Sequence, residues 1–212
     1  MKQQRSVWQL VKCIVAASAL AAVVSSASAQ GTFYNTEAAF LPNLAPGSYL
    51  EDFSAFTFGN PLNGSQTSWA SPGANGFGWT ASATGGLYSN VSALSTNLAN
   101  DPITILFTGA PVTAFGGIFA NTDISGNVIP GTITVTTSDG GMQVIPTSNT
   151  FLGYTSNVTI TSITMVAAGT TNNWVQVDHF YAGAAVPEPG TMALLAVGGA
   201  AVVGMIVKRR RA

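Results

Sequence analysis

Between residues 30 and 186 this 212-residue chain contains no lysine and no arginine. All seven cations sit near its two ends, as Lys2, Arg5, Lys12, Lys208, Arg209, Arg210 and Arg211. The middle holds Glu37, Glu51, Asp52, Asp101, Asp123, Asp139 and Asp178, so the net charge of −1 hides a central region near −7. A surface without cations has nothing to neutralise phosphates, and no nucleic-acid partner is expected. Salt bridges of the usual Lys/Arg kind cannot hold such a fold, and Ser, Thr, Asn and Gly must solvate it. Charged residues make up 7% of the chain, against roughly 25% in an average globular protein.

Cysteine is nearly absent as well. Cys13 is the single one and lies in an apolar run near the start, so no disulfide and no thiol chemistry is expected downstream. With no other cysteine and one histidine, His179, zinc binding is disfavoured.

The two ends carry targeting patterns. Lys2, Arg5 and Lys12 precede an apolar run over 13–24 and then "SSASAQ", the order of a secretory signal peptide over residues 1–29 with cleavage after Ala29. The run is too short for a membrane anchor, since about a dozen residues rise only about 18 Å as a helix. Near the other end, residues 191–207 are uncharged and would span about 26 Å as a helix, enough for one transmembrane helix. Lys208, Arg209, Arg210 and Arg211 follow as a stop-transfer signal on the cytoplasmic side. A plain anchor explains these features but not Pro187, Glu188 and Pro189 before them.

The order "VPEPG", apolar segment, basic tail resembles the PEP-CTERM sorting signal of Gram-negative bacteria, here over 186–212 with the motif at 187–189. That resemblance implies export by the Sec machinery and a single-pass inner-membrane intermediate. It further implies processing by an exosortase-type transpeptidase and delivery to the cell surface or the exopolysaccharide matrix. Two prolines forbid helix continuation and hold the segment extended, which would present Glu188 at the membrane face.

Residues 30–185 read as one all-β ectodomain. "PITILFTG" (102–109), "TAFGGIFANTD" (113–123), "GTITVTTSDGG" (131–141), "NVTITSITMVAA" (157–168) and "NWVQVDHFYAG" (173–183) each alternate apolar with polar or small residues. "SYLEDFSAFTF" (48–58) and "GFGWTASA" (76–83) add two more, and "SDGG" before "MQVIP" reads as a hairpin tip. The one helix-like piece lies around residues 36–41, and 60–76 reads as a Gly-rich loop. Strands without intervening helices predict an antiparallel β-sandwich. The order of "EDF", "PVTAFGG", "TVTTSDGG", "FLGY" and "VDHFYAG" also resembles secreted proteins with the same tail, which implies a jelly-roll or lectin-like sandwich, though His179 stands where Asn or Asp is expected.

For chemistry, Glu51 and Asp52 suggest the carboxylate pair of a glycoside hydrolase, but adjacent strand residues face opposite sides. Asp178 and His179 suggest part of a Ser/His/Asp set, yet no G-x-S-x-G elbow is present. The chain is therefore read as non-catalytic. Carboxylates without cationic partners suit calcium, and Glu51, Asp52 and Asp178 are the candidate ligands of a structural Ca²⁺ if the strands bearing them lie side by side. Solvated strand-end acids are the plainer reading. "NTDISGN" (121–127) has alternating oxygen ligands but lacks the closing acid of an EF-hand loop.

Trp69, Trp79, Trp174, Tyr88 and Tyr154 are candidates for a sugar-stacking platform. Trp79 and Trp174 lie in alternating strands and read as core, whereas Trp69, in the loop, is the candidate glycan contact. Thr132, Thr134 and Thr136, or Thr159, Thr161 and Thr164, raise the remote option of an ice-ordering array. Two functional classes stay open: a non-catalytic surface or matrix protein associated with exopolysaccharide, and a glycan-active hydrolase on the same fold. A permanently tethered periplasmic binding domain is the reading if the tail is never cleaved.

Overall fold

The computed structural model describes residues 31–54, 56, 62–90, 92–146, 150–169 and 172–187. The assigned signal peptide, Glu188, Pro189, the apolar segment 191–207 and the basic tail 208–211 lie outside the described residues. In chain order the strands are β1 (Thr32–Tyr34), β2 (Tyr49–Glu51), β3 (Ser68–Ala70), β4 (Phe77–Ser82), β5 (Leu87–Asn90), β6 (Ala93–Thr96) and β7 (Ile103–Gly109). There follow β8 (Val112–Thr122), β9 (Thr132–Thr137), β10 (Met142–Pro146), β11 (Thr150–Ile160), β12 (Ser162–Ala168) and β13 (Trp174–Gly183). One sheet has the order β1-β11-β8-β13-β6-β5, with β2 also pairing β13, and the other has the order β10-β9-β12-β7-β4-β3. Every pairing is antiparallel.

Alternation builds the core between the sheets. From the six-stranded sheet come Trp79, Ala81, Ile103, Ile105, Ile133, Val135, Ile163 and Met165; from the other come Leu87, Leu94, Phe115, Phe119, Leu152, Val175, Val177 and Phe180. Each fully buried aliphatic or aromatic side chain contributes about 1.5–3 kcal/mol.

The predicted strands over 102–109, 113–123 and 173–183, and the "SDGG" hairpin joining β9 to β10, are present. The run over 157–168 is not one strand. It crosses between sheets at Thr161, where Ser138 Oγ accepts from the Thr161 amide at 2.8 Å. Ile160 and Ile163 both face the core, three residues apart, a spacing that one strand cannot provide. Of the expected strand over 48–58, Tyr49–Glu51 is strand among the described residues, and Phe53 takes a positive φ of 54° with its side chain fully buried.

A second, smaller core covers the outer face of the seven-stranded sheet. Thr36 caps the short helix α1 (Glu37–Phe40), accepting from the Ala39 amide at 3.2 Å. Phe40 packs with Leu44, Ala114 and Tyr181, and its ring lies over Gly116 and Gly153, which are register partners on β8 and β11. The glycines of "PVTAFGG" and "FLGY" therefore leave the room this ring occupies.

The outward residues of the six-stranded sheet carry no charge. One cross-strand row reads Met142, Thr136, Thr164, Thr104, Ser82 and Ser68. Thr132, Thr134 and Thr136 alternate with buried Ile133 and Val135 along β9, as a threonine array requires. Thr159, Thr161 and Thr164 do not form a second array, since they fall on β11, the crossing and β12.

Candidate functional site

β2 lies beside β13 with Glu51 opposite Phe180, which brings the "EDF" and "VDHFYAG" segments together. Glu51 points inward and is buried; its Oε1 accepts from the Phe53 amide at 2.8 Å and its Oε2 from the Tyr49 hydroxyl. Asp52 is on the solvent side, where Oδ1 accepts from the Ser54 amide at 3.0 Å. Its carboxyl sits below the ordinary value because Ser54 hydroxyl and amide favour the anion. Asp178 shares that side. Burial pushes its carboxyl up, the His179 amide and ring oppose this, and the nearby Asp52 charge adds to the rise. The structure thus brings Asp52 to Asp178 and turns Glu51 away. Among the described residues no group of three His, Cys, Asp or Glu side chains is arranged to hold a metal.

Asp178 and His179 sit at a β-bulge. Register runs from Asp178 opposite Ile118 to Tyr181 opposite Gly116, so β13 carries one extra residue. His179 absorbs it with a φ of 49°, and the Asp178 Oδ1 accepts from the His179 amide at 2.6 Å. The bulge switches parity: Val175 and Val177 face the core before it, Phe180 and Ala182 after it. It also marks where β13 exchanges β6 for β2 as its neighbour. His179 Nδ1 lies 4.0 Å from Asp178 Oδ1.

Outward from β13, on the side away from the core, lies a cleft of about 460 Å³. Tyr88 of β5, Ser95 of β6 and Gln176 of β13 form one cross-strand row in its floor. Trp174, two residues before Gln176, faces the same way, and the loop from Asp123 to Gly126 forms a wall. Tyr88 is 47% exposed and Ile124 82%. Trp174 is half-buried rather than core, with its indole Nε1 donating to the Asn97 carbonyl at 3.3 Å. Alternation alone marked it for burial; the missing information was which face the sheet covers.

An amide chain that runs from buried Asn121 and Asn173 to exposed Asn100 fixes this end of β13. Asn121 Nδ2 donates to Asn173 Oδ1 at 2.8 Å, Asn173 Nδ2 donates to Asn100 Oδ1 at 3.1 Å, and the Asn100 amide donates to the Asn173 carbonyl at 2.6 Å. In the wall, Asp123 Oδ1 accepts from the Ser125 amide at 2.8 Å and the Asn127 amide at 2.9 Å, and Oδ2 from Asn127 Nδ2 at 3.0 Å. Asn127 and these amides hold the Asp123 carboxyl below its ordinary value. The "NTDISGN" segment is therefore a turn closed on its own acid.

The other aromatics serve the interior. Trp79 is 1% exposed, as expected of a core residue, and Tyr154 is also buried, its hydroxyl donating to Asp139 Oδ2 at 2.9 Å. Trp69 lies on edge strand β3, half-buried, against Phe53, Phe56 and Trp79, with ring centroids 6.0, 4.9 and 5.2 Å away.

The ectodomain stays tied down to the first residue of the sorting motif. The Ala45 amide donates to the Ala184 carbonyl at 2.8 Å, the Ala185 amide to Thr113 Oγ1 at 2.8 Å and the Val186 amide to the Asn43 carbonyl at 2.9 Å. Pro187, which has no amide hydrogen to give, is exposed immediately after.

Among solved structures, the chain is similar to a mutant family 29 carbohydrate-binding module, at 11% identity over 77% of this chain and 95% of that one, with a TM-score of 0.36. It is similar to the family 11 carbohydrate-binding module from Clostridium thermocellum, at 10% identity over 68% and 99%, with a TM-score of 0.29. A glycoside hydrolase family 43 arabinoxylan arabinofuranohydrolase from Bacillus subtilis is matched at 15% identity over 49% of this chain and 27% of that one, with a TM-score of 0.28. No curated protein matches the chain. Residues 185–211 match the PEP-CTERM protein-sorting motif, which implies processing by an exosortase-type system and sorting to the cell envelope or surface.

Proposed function

We propose that this protein is a non-catalytic, lectin-like surface or matrix protein that holds exopolysaccharide in the cleft between Tyr88 and Trp174. The observation that carries this reading is the placement of two aromatic rings on one outward face, flanking the Gln176 amide. An aromatic face packs against the C–H face of a pyranose while neighbouring amides satisfy its hydroxyls. In this reading the signal peptide enters the Sec machinery and the segment 191–207 holds a single-pass inner-membrane intermediate. Exosortase then acts at Pro187, Glu188 and Pro189; Pro187 follows directly on the tethered Val186 and is exposed.

The test uses the full chain, solubilised in a detergent without a sugar headgroup, and the exopolysaccharide of the host that makes it. Sedimentation with that polysaccharide is expected, and it is expected to be lost in a Tyr88→Ala/Trp174→Ala double variant whose thermal midpoint is unchanged. Equal sedimentation of the double variant overturns the assignment of the cleft. Release of new reducing ends overturns the non-catalytic reading in favour of a hydrolase. In cells, loss of the C-terminal residues only when exosortase is present is the expected processing.

A further inference from the structure

We infer that the cleft selects an uncharged, extended glycan chain and excludes anionic polysaccharides; this rests on the glycan reading above and narrows it. Two features carry the inference. The first is electrostatic. No Lys or Arg occurs between residues 30 and 186, and the one histidine, His179, lies against Asp178, so no lysine or arginine of the ectodomain faces an incoming carboxylate, sulfate or phosphate. Asp123 lines the cleft with its carboxyl held in the ionised form. Asp178, two residues beyond Gln176 on the same face and on the side opposite Trp174, with Asp52 beside it, adds further acid next to the floor. Neutral binders escape this field, because the groups turned toward them are a phenol, an indole, a primary amide and hydroxyls.

The second feature is spacing. Tyr88 and Gln176 are two strands apart across the row, about 10 Å, and Trp174 is about 7 Å further along β13, which separates the two aromatic positions by about 12 Å. The two backbone positions stand further apart than one pyranose ring is wide. A chain of several sugars crossing β5, β6 and β13 obliquely spans that distance, with the Gln176 amide to one side of its path. Among the described residues, neither the Gln176 side-chain amide nor the Tyr88 hydroxyl is engaged by another protein group, which leaves both for sugar hydroxyls.

The experiment is affinity gel electrophoresis of the detergent-solubilised full chain through neutral polymers (mixed-linkage β-glucan, arabinoxylan, galactomannan) and anionic ones (alginate, polygalacturonate). Retardation is expected in at least one neutral polymer, changing less than about twofold between low and high salt, since the interaction carries no net charge term. No retardation is expected in alginate or polygalacturonate at low salt. A tetrasaccharide of the retarding polymer should compete at least about tenfold better than its monosaccharide. Retardation by an anionic polymer at low salt overturns the selectivity while leaving glycan binding in place. Equal competition by the monosaccharide overturns the extended-chain geometry. No retardation in any of the polymers, neutral or anionic, together with no sedimentation of host exopolysaccharide, removes the glycan reading itself and this inference with it.

Discussion

Phe40 lies where a side chain at position 153 would stand: a Cβ built on Gly153 would be 2.5 Å from its ring. Ring and glycine come from elements far apart in the chain, and the contact pins α1 onto β11. Gly153→Ala is expected to destabilise the protein by about 1–3 kcal/mol through overpacking. Gly140→Ala, in the β9–β10 turn, is the comparison: no atom lies within 4 Å of its Cβ, and its φ of 94° is the only source of cost. Thermal midpoints of the two variants separate steric packing from backbone strain.

Asp178 is an acid whose burial pushes its carboxyl up. The folded state therefore holds the proton more tightly than the unfolded chain, and stability falls as pH rises from the ordinary value of 3.8 through the raised one. At neutral pH the full penalty is present. Asp178→Asn keeps an oxygen to accept from the His179 amide and is expected to stabilise the protein at pH 7, with the gain vanishing below pH 3.8. Denaturant midpoints across that range check both halves of the statement.

Tyr181 is raised to about 12 by burial and by the Glu37 carboxylate that accepts its hydroxyl proton, and burial with Glu51 raises Tyr49 as well. The unfolded chain ionises near pH 10 and the folded one later, so stability is intact below pH 10 and is lost as pH rises toward 12. Tyr181→Phe is expected to flatten that alkaline loss. Unfolding followed by far-ultraviolet circular dichroism between pH 9 and 12 is the measurement; an unchanged slope contradicts the assignment to Tyr181.

Trp69 separates stability from binding. Its ring packs on Phe53, Phe56 and Trp79, so Trp69→Ala is expected to lower stability by about 2–4 kcal/mol. If the Tyr88 and Trp174 cleft is the glycan site, polysaccharide retardation of the folded variant is unchanged. A Trp69→Ala protein with a native circular dichroism spectrum and no retardation would move the site to β3.

The all-β class, the strands around Ile103, Phe115, Ile133 and Val175, the hairpin at Gly140 and the helical turn after Thr36 were legible in the sequence, because alternation and turn chemistry are local. So was the sorting signal, whose proline motif, apolar run and basic tail are linear by nature. Tertiary structure decided what local pattern does not encode. Alternation says that Trp174 and Val175 face opposite ways but not which side a second layer covers, and the sheet pairing sends Val175 inward and Trp174 into the cleft. The same pairing joins Tyr88 to Gln176 through Ser95, a neighbourhood no spacing announces. One extra residue at His179 reverses parity along β13, separating Glu51 from Asp178 while bringing Asp52 near it. Periodicity fixes which residues share a face, but only the packing of two sheets and a helical turn determines which faces meet water.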